Sequence, residues 1–252
     1  MSDLIVLLHG SATGSSSWTP LAASLAGSGA SVVAPDLIGY GRSPPPSSSY
    51  GIAEEVSHLL GQLDRPGNGT IHLVTHSFGS LIGLHLRRAL GSRVTRMMLI
   101  EPVIVSVLRE RHEDAAYAEM EEQYQRFMSF SDDHEAAAAF FVNHWNGAGA
   151  WESIGKRGRD IVASLVPKLR LEMIATRSDT TKLAWFAEPP CPTIILVGEK
   201  TLIAPRAAAR QLQTALRAAL VIVPGAAHMI PITHPHVILD AICMERIEKC
   251  GA

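Results

Sequence analysis

The segment between Ile71 and Leu90 joins a buried strand to a helix with almost no residues between them. Ile71, Leu73 and Val74 form an apolar, partly β-branched run, and a helical pattern of leucine and isoleucine follows at once. Ser77 must therefore occupy a sharp turn that pushes its hydroxyl out beyond the end of a sheet. The next backbone N–H groups then lie at a helix N-terminus, where partial positive charge can stabilise an oxyanion. This arrangement is typical of a nucleophilic serine.

The turn itself, at 75–79, reads T-H-S-F-G, which departs from G-x-S-x-G at its first position. Taken alone, it fits a tight packing turn as well as it fits a catalytic one. Other small-residue loops follow apolar runs in the same way. They read H-G-S-A-T-G at 9–14, D-L-I-G-Y-G-R-S at 36–43 and G-A-A-H at 225–228.

With these four motifs in their order along the chain, the sequence resembles members of the α/β-hydrolase-fold superfamily. The resemblance extends over nearly the whole chain. The resemblance implies an enzyme of the serine hydrolase or esterase type. It implies Ser77 as the nucleophile and His228 as the general base. It also implies an oxyanion hole made by the backbone N–H groups of Ser11 and Phe78.

The resemblance implies a fold as well. Family members commonly have an antiparallel hairpin before the strand that leads to H-G, whereas this chain reaches that strand at Leu4. We therefore expect an α/β-hydrolase fold with a truncated N-terminus: a mostly parallel six-stranded sheet with helices on both faces. The expected strands are 4–8, 31–35, 71–75, 96–100, 193–197 and 219–223. The expected core helices are 16–28, 52–64, 78–90, 204–217 and 236–249.

The acid that orients His228 is less obvious. In many family members it follows the penultimate strand in a G-x-x-D segment, but the corresponding segment at 198–201 reads G-E-K-T and ends on an uncharged threonine. In a branch that includes some haloalkane dehalogenases, the acid follows the preceding strand instead, and Glu101 stands at that point. Glu101 is the predicted acid. Glu199, Asp36 and a Ser–His dyad without an acid stay open.

Between these motifs, residues 103–190 are too long for a plain connection, and their pattern is helical at 110–130, 132–144, 150–165 and 168–177. We interpret them as a helical cap between two parts of a core domain, 1–102 and 191–252. Caps of this family lie over the serine and shape its pocket. The predicted pocket residues are Phe141, Trp145, Trp151 and Met229.

Composition argues against large charged partners. Lys and Arg total 22 against 24 Asp and Glu, so the net charge of -2 provides no basic field for nucleic acid or an anionic membrane. No run reaches membrane-spanning length, and the three cysteines lack metal-type spacing. We expect a cytoplasmic enzyme that acts on a small molecule with no metal and no cofactor. The sequence does not indicate an oligomeric state.

The resemblance implies acyl transfer to water. Because the predicted pocket residues are mostly aromatic and aliphatic, we expect small to medium, largely apolar and uncharged esters as substrates. No Arg or Lys is placed beside the motifs so as to hold a carboxylate or phosphate. Inward-pointing cap residues would change this expectation, and the candidates are Arg157, Arg159, Lys168 and Arg170. Hydrolysis of a carbon–carbon bond, a lactone or a thioester is an alternative on the same scaffold. A non-catalytic small-molecule-binding relative is another. Epoxide and halide hydrolysis are disfavoured, because the corresponding enzymes have Asp where this chain has Ser77.

Overall fold

A computed structural model describes residues 4–63 and 69–250 of the chain. Six strands form one sheet in which every pairing is parallel, as the sequence predicts. The strands are β1 (Leu4–Leu8), β2 (Ser31–Val33), β3 (Ile71–His76), β4 (Val94–Ile100), β5 (Thr193–Gly198) and β6 (Ala219–Val223). Their order across the sheet is β2-β1-β3-β4-β5-β6. The predicted α/β-hydrolase fold class is confirmed.

Thirteen α-helices accompany the sheet in the described part of the chain. They are α1 (Thr19–Gly27), α2 (Ile52–Leu63), α3 (Phe78–Leu90), α4 (Val105–Glu110), α5 (Asp114–Met128), α6 (His134–Asn146), α7 (Ala150–Ser153), α8 (Lys156–Ser164), α9 (Val166–Ser178), α10 (Leu183–Ala187), α11 (Ile203–Leu216), α12 (Ile230–Thr233) and α13 (Pro235–Cys250). Side chains of β1 alternate between two apolar layers. Val6 belongs to the apolar layer that includes residues of α2, α3 and α11, and Leu7 belongs to the layer on the opposite face, which includes residues of α1 and α13.

The core elements lie within a few residues of their predicted bounds, and two differences have local causes. The prediction that β2 extends to residue 35 is wrong, because Pro35 has no N–H to donate to a neighbouring strand. Helix α1 begins at Thr19 instead of residue 16, because Ser15–Trp18 form a 3-10 turn and Pro20 occupies the first turn of the α-helix.

The segment between β4 and β5 contains seven helices, α4–α10, where the sequence predicts four. The predicted helix 110–130 corresponds to α5 and begins four residues too early, because 111–113 separate α5 from α4. The predicted helix 150–165 is divided where Gly155 precedes α8. Helix α10, and α4 apart from its last residue, were not predicted. Asp133 begins α6 by accepting a hydrogen bond from the Ala136 N–H at 3.0 Å, as its position suggests. The boundaries of core and cap at 102/103 and 190/191 stay a prediction.

Because the strands are parallel, their carboxyl ends lie along one edge of the sheet. The residue after β3 is Ser77, the residue after β4 is Glu101, and His228 follows β6 by five positions. The fold therefore gathers the predicted catalytic side chains from distant parts of the sequence. No helix of the described residues has the length and hydropathy needed to cross a lipid bilayer.

Candidate active site

The turn at Ser77 has the strained geometry that the sequence predicts. Its backbone φ of 54° and ψ of −123° are uncommon for a residue with a side chain. The Ser77 N–H donates to the Ile100 carbonyl at 2.9 Å, so the sheet ladder continues past the end of β3 and fixes the turn. The side chain is thereby held at the sheet edge, at the first residue before α3.

Two glycines let the chain close around this turn. A Cβ on Gly10 would lie 2.8 Å from the Cβ of Ser77, so the loop after β1 can approach the serine only with glycine at that position. Gly83 compensates for the missing glycine of the turn motif. A Cβ there would lie 2.6 Å from the methyl carbon of Thr75, the residue that stands in place of that glycine. The buried Thr75 hydroxyl donates to the Met98 carbonyl at 3.1 Å.

His228 lies directly beside the serine. Its Nε2 is 3.0 Å from Ser77 Oγ, and the ring is 3% exposed. His76 supports the histidine from behind, because its Nε2–H donates to the His228 carbonyl at 2.9 Å. Burial, together with the neighbouring His228, lowers the pKa of His76 to about 3, so its ring is neutral. The sequence gives no sign of this hydrogen bond.

The structure brings Glu101 to the other side of the same ring. Glu101 Oε2 is 3.1 Å from His228 Nδ1, and the carboxylate is completely buried. Oε1 accepts the Gly198 N–H at 2.5 Å, and Oε2 also accepts the hydroxyl of Thr201. Thr201, the residue at the vacated acid position, therefore donates to the carboxylate that stands beside His228. Glu101 itself has a positive φ of 52°.

The alternative carboxylates form different contacts. Glu199 is exposed and its Oε2 accepts the Gly225 N–H at 2.9 Å, which fixes the turn after β6. Asp36 Oδ1 accepts the Ser15 N–H at 2.8 Å within the loops that follow β1 and β2. Both carboxylates have surface or loop-stabilising hydrogen bonds, and the carboxylate next to Nδ1 is that of Glu101.

The two predicted oxyanion donors flank the serine. Phe78 is the first residue of α3, and Ser11 follows the glycine that contacts Ser77. Within the described residues, neither backbone N–H donates a hydrogen bond to a protein group. Each N–H is therefore free to bind an oxygen from outside the protein, and that of Phe78 also carries the partial positive charge of a helix N-terminus.

His9 stabilises the loop that carries Ser11. Its Nε2 accepts the Leu37 N–H at 3.0 Å, and Nδ1 lies 2.8 Å from the Gly10 carbonyl, to which it donates. Burial lowers the pKa of His9 to about 4, so the ring is neutral and has one donor and one acceptor as these contacts need.

Two cavities meet at the serine, and both are lined by Ser11, Ser77, Phe141 and Trp145. The narrow cavity, about 50 Å³, continues past Phe78, Val103, Met120, Gln123, Glu172 and Thr176. The wide cavity, about 340 Å³, continues past Ala12, Asn146, Ile154, His228, Met229 and Ile232. Three of the four predicted pocket residues therefore line a cavity, whereas Trp151 lies in neither wall and packs in the apolar core.

Comparison with known proteins identifies the family. Residues 5–241 match the model of the alpha/beta hydrolase family. The chain belongs to the α/β hydrolase family. It is 38% identical to Lipase LipV of Mycobacterium tuberculosis over 29% of this chain and 28% of that protein. It is 34% identical to a haloalkane dehalogenase of Mycolicibacterium paratuberculosis over 45% of this chain and 38% of that protein. The matched region thus spans about a third of these relatives' length.

Solved α/β hydrolases share the fold over almost the full chain. The enol-lactonase of Burkholderia xenovorans superposes with a TM-score of 0.75 at 20% identity, covering 96% of this chain and 90% of that one. At this level of identity the similarity concerns the fold alone. The chemistry of this family member must be argued from its own side chains.

Trp145, from the inserted helix α6, contacts the histidine of the site. Its ring stacks on the His228 imidazole with 4.3 Å between ring centroids and an angle of 29° between the planes. The aromatic face can stabilise an imidazolium through a cation–π interaction. The sequence predicts Trp145 as a pocket residue but not this contact.

Two cations near the cavities are already paired. Lys168 turns inward, and its Nζ lies 2.8 Å from Glu55 and 3.5 Å from Glu172. Arg177, in the wall of the narrow cavity, donates to both carboxylate oxygens of Glu121 at 2.9 and 3.1 Å. Neither is available to neutralise an anionic substrate. Among the described residues, no group of three or more His, Cys, Asp or Glu side chains is arranged to hold a metal ion.

Proposed function

We propose that this α/β hydrolase is a serine hydrolase that cleaves small to medium, largely apolar and uncharged esters by acyl transfer to water. The observation that supports the proposal is the continuous hydrogen-bond chain from Ser77 Oγ through His228 to Glu101, with contacts of 3.0 and 3.1 Å. A serine, a histidine and a buried carboxylate in this order are the components of nucleophilic acyl transfer.

In the first half of the reaction, neutral His228 accepts the Ser77 proton at Nε2 while the serine oxygen attacks the ester carbonyl. Glu101 holds the ring proton on Nδ1 and stabilises the imidazolium that forms. The carbonyl oxygen becomes an oxyanion, which accepts hydrogen bonds from the N–H groups of Ser11 and Phe78. His228 then gives its proton to the leaving alcohol.

In the second half, water attacks the acyl-serine, and the same groups act in reverse order. His228 takes a proton from the water, and the collapse of the second oxyanion releases the acid and restores Ser77. Thioesters and lactones can pass through the same steps, because each contains an acyl carbonyl that Ser77 can attack and a leaving group that His228 can protonate.

The lining of the cavities supports an uncharged, largely apolar substrate. Phe141, Trp145, Val103 and Met229 provide apolar walls, and the nearby cation Arg177 is held by its own carboxylate. An anionic substrate would have to displace an existing ion pair to find a positive partner.

Hydrolysis of 4-nitrophenyl butanoate tests the proposal. We expect turnover by the wild type and a loss of several orders of magnitude in Ser77→Ala, because no other oxygen can form the acyl intermediate. Ser24→Ala, an exposed serine of α1, is the matched control and should retain wild-type rates. Equal rates in Ser77→Ala and the wild type would overturn the proposal, and an inactive folded wild type would favour the non-catalytic binder.

A further inference from the structure

Of the two cavities at Ser77, His228 lines only one. If the proposed serine hydrolase chemistry holds, this difference determines which part of a bound ester lies in which cavity. The leaving alcohol receives its proton from His228 and must therefore lie on the histidine side of the serine. His228 and Met229 line the wide cavity, whereas Phe78, one of the predicted oxyanion donors, lines the narrow one. The alcohol thus belongs in the wide cavity and the acyl chain in the narrow cavity.

The size of the narrow cavity limits the acyl chain. A water-sized group needs roughly 10–15 Å³, so a cavity of about 50 Å³ accommodates about four such groups. The wide cavity, at about 340 Å³, accommodates many more. The two subsites therefore predict an ester with a short acyl part and a larger alcohol part.

The narrow cavity also contains a polar group without a partner. Gln123 is 2% exposed, and its Nε2 has no hydrogen-bond partner in the described part of the structure. Glu172, in the same wall, is 1% exposed and already paired: its Oε1 lies 3.5 Å from Lys168 Nζ, and its Oε2 accepts the Tyr40 hydroxyl at 3.0 Å. Burying a polar group without a partner is costly, so the unpaired Nε2 of Gln123 needs an acceptor. Gln123 is therefore placed for a polar atom that a substrate brings with it.

The surrounding charges favour a neutral partner for Gln123. The Arg177 guanidinium is bound by Glu121, and Lys168 is held between Glu55 and Glu172. Burial raises the pKa of Glu172 despite the nearby Lys168, so its proton is retained more readily than in water. A carboxylate on the acyl chain would find no free cation among these groups.

We propose that the narrow cavity is the acyl subsite, and that it selects a short acyl group bearing an uncharged oxygen, a hydroxyl or a keto group, which accepts a hydrogen bond from the Gln123 carboxamide. The apolar walls hold the carbon atoms of the chain, and the oxygen replaces the missing partner of Nε2. A butanoyl group with an oxygen on its third carbon has four heavy atoms beyond its carbonyl, which is about the number that this volume accommodates.

The test compares 4-nitrophenyl esters of butanoate, 3-hydroxybutanoate (each enantiomer) and 3-oxobutanoate in the wild type and in Gln123→Met. We expect the wild type to prefer an oxygenated ester, and we expect this preference, as a ratio of kcat/KM values, to fall about tenfold or more in the variant. Dividing the wild-type preference by that of the variant cancels the intrinsic reactivity of the esters. Gln125→Met is the matched control, since Gln125 is an exposed glutamine of the same helix.

Equal preferences in the wild type, Gln123→Met and Gln125→Met would overturn the subsite and leave the serine hydrolase intact, because all the esters would still be cleaved. Failure of the folded wild type to cleave any ester would overturn both proposals. If Gln123→Met does not fold, two ester series on the wild type decide the orientation. Rates that decline beyond about five acyl carbons but tolerate large alcohols support the assignment, and the opposite pattern contradicts it.

Discussion

Replacing Glu101 by glutamine tests the acid with almost no change of shape. Oε1 of Glu101 accepts the Gly198 N–H, and Oε2 accepts from His228 Nδ1 and Thr201. The backbone N–H of Gly198 can only donate, so the amide oxygen of a glutamine at 101 must face Gly198. The NH2 group of that glutamine then faces His228. His228 Nδ1 must accept a hydrogen bond from this NH2 group, so the proton of the neutral ring lies on Nε2. A protonated Nε2 can no longer take the proton of Ser77.

We therefore expect Glu101→Gln to lower kcat by about 10³- to 10⁴-fold, on the order of 4–5 kcal/mol in the barrier, with a smaller change in KM. Initial rates on a 4-nitrophenyl ester measure the loss, and the thermal unfolding temperature shows whether the fold is retained. Glu199→Gln is the control, because this exposed carboxylate binds Gly225 and should leave kcat near wild type. A folded Glu101→Gln variant within tenfold of the wild type, or a larger loss in Glu199→Gln, would refute the reasoning.

Three further predictions concern groups around the site. Thr201→Val removes one donor to the acid and should lower kcat about tenfold, whereas Thr201→Ser should restore it; equal rates in all three proteins would contradict this role. The pKa of His9 is lowered to about 4, so the unfolded chain binds an extra proton below about pH 6.5. As pH falls from there towards 4, His9 should reduce the free energy of unfolding by about 1.4 kcal/mol per pH unit, and an unchanged slope in His9→Gln would argue against it. Lys168→Met leaves two buried carboxylates without their cation and should cost about 3–5 kcal/mol in urea unfolding, whereas Lys156→Met, at an exposed ion pair, should cost little. Similar losses in both lysine variants would contradict the effect of burial.

The strands and the turn at Ser77 could be predicted from the sequence because their signals are local. β1, β3 and α3 have strong apolar patterns, and Gly10 stands where the chain must pass close to the serine. The position of Glu101 immediately after β4 places it at the same sheet edge, so its approach to His228 follows from topology once the strands are known.

The inserted helices and the polar contacts beneath them were harder to predict, because they depend on tertiary packing. The break between α4 and α5 falls in a polar stretch that remains compatible with a continuous helix. Gln123 is a polar residue in a helix rich in acidic side chains, and the sequence alone does not indicate that tertiary packing buries it. In the sequence, Thr201 is an uncharged residue where many family members have the acid; in the structure its hydroxyl donates to Glu101.

Covalent labelling with a fluorophosphonate tests most directly whether Ser77 is an activated nucleophile. The folded wild type should gain a single adduct by intact-mass analysis, with the modified peptide containing Ser77, while Ser77→Ala and the unfolded wild type should gain none. A folded wild type that stays unlabelled, or an adduct on another serine that persists in Ser77→Ala, would contradict the account.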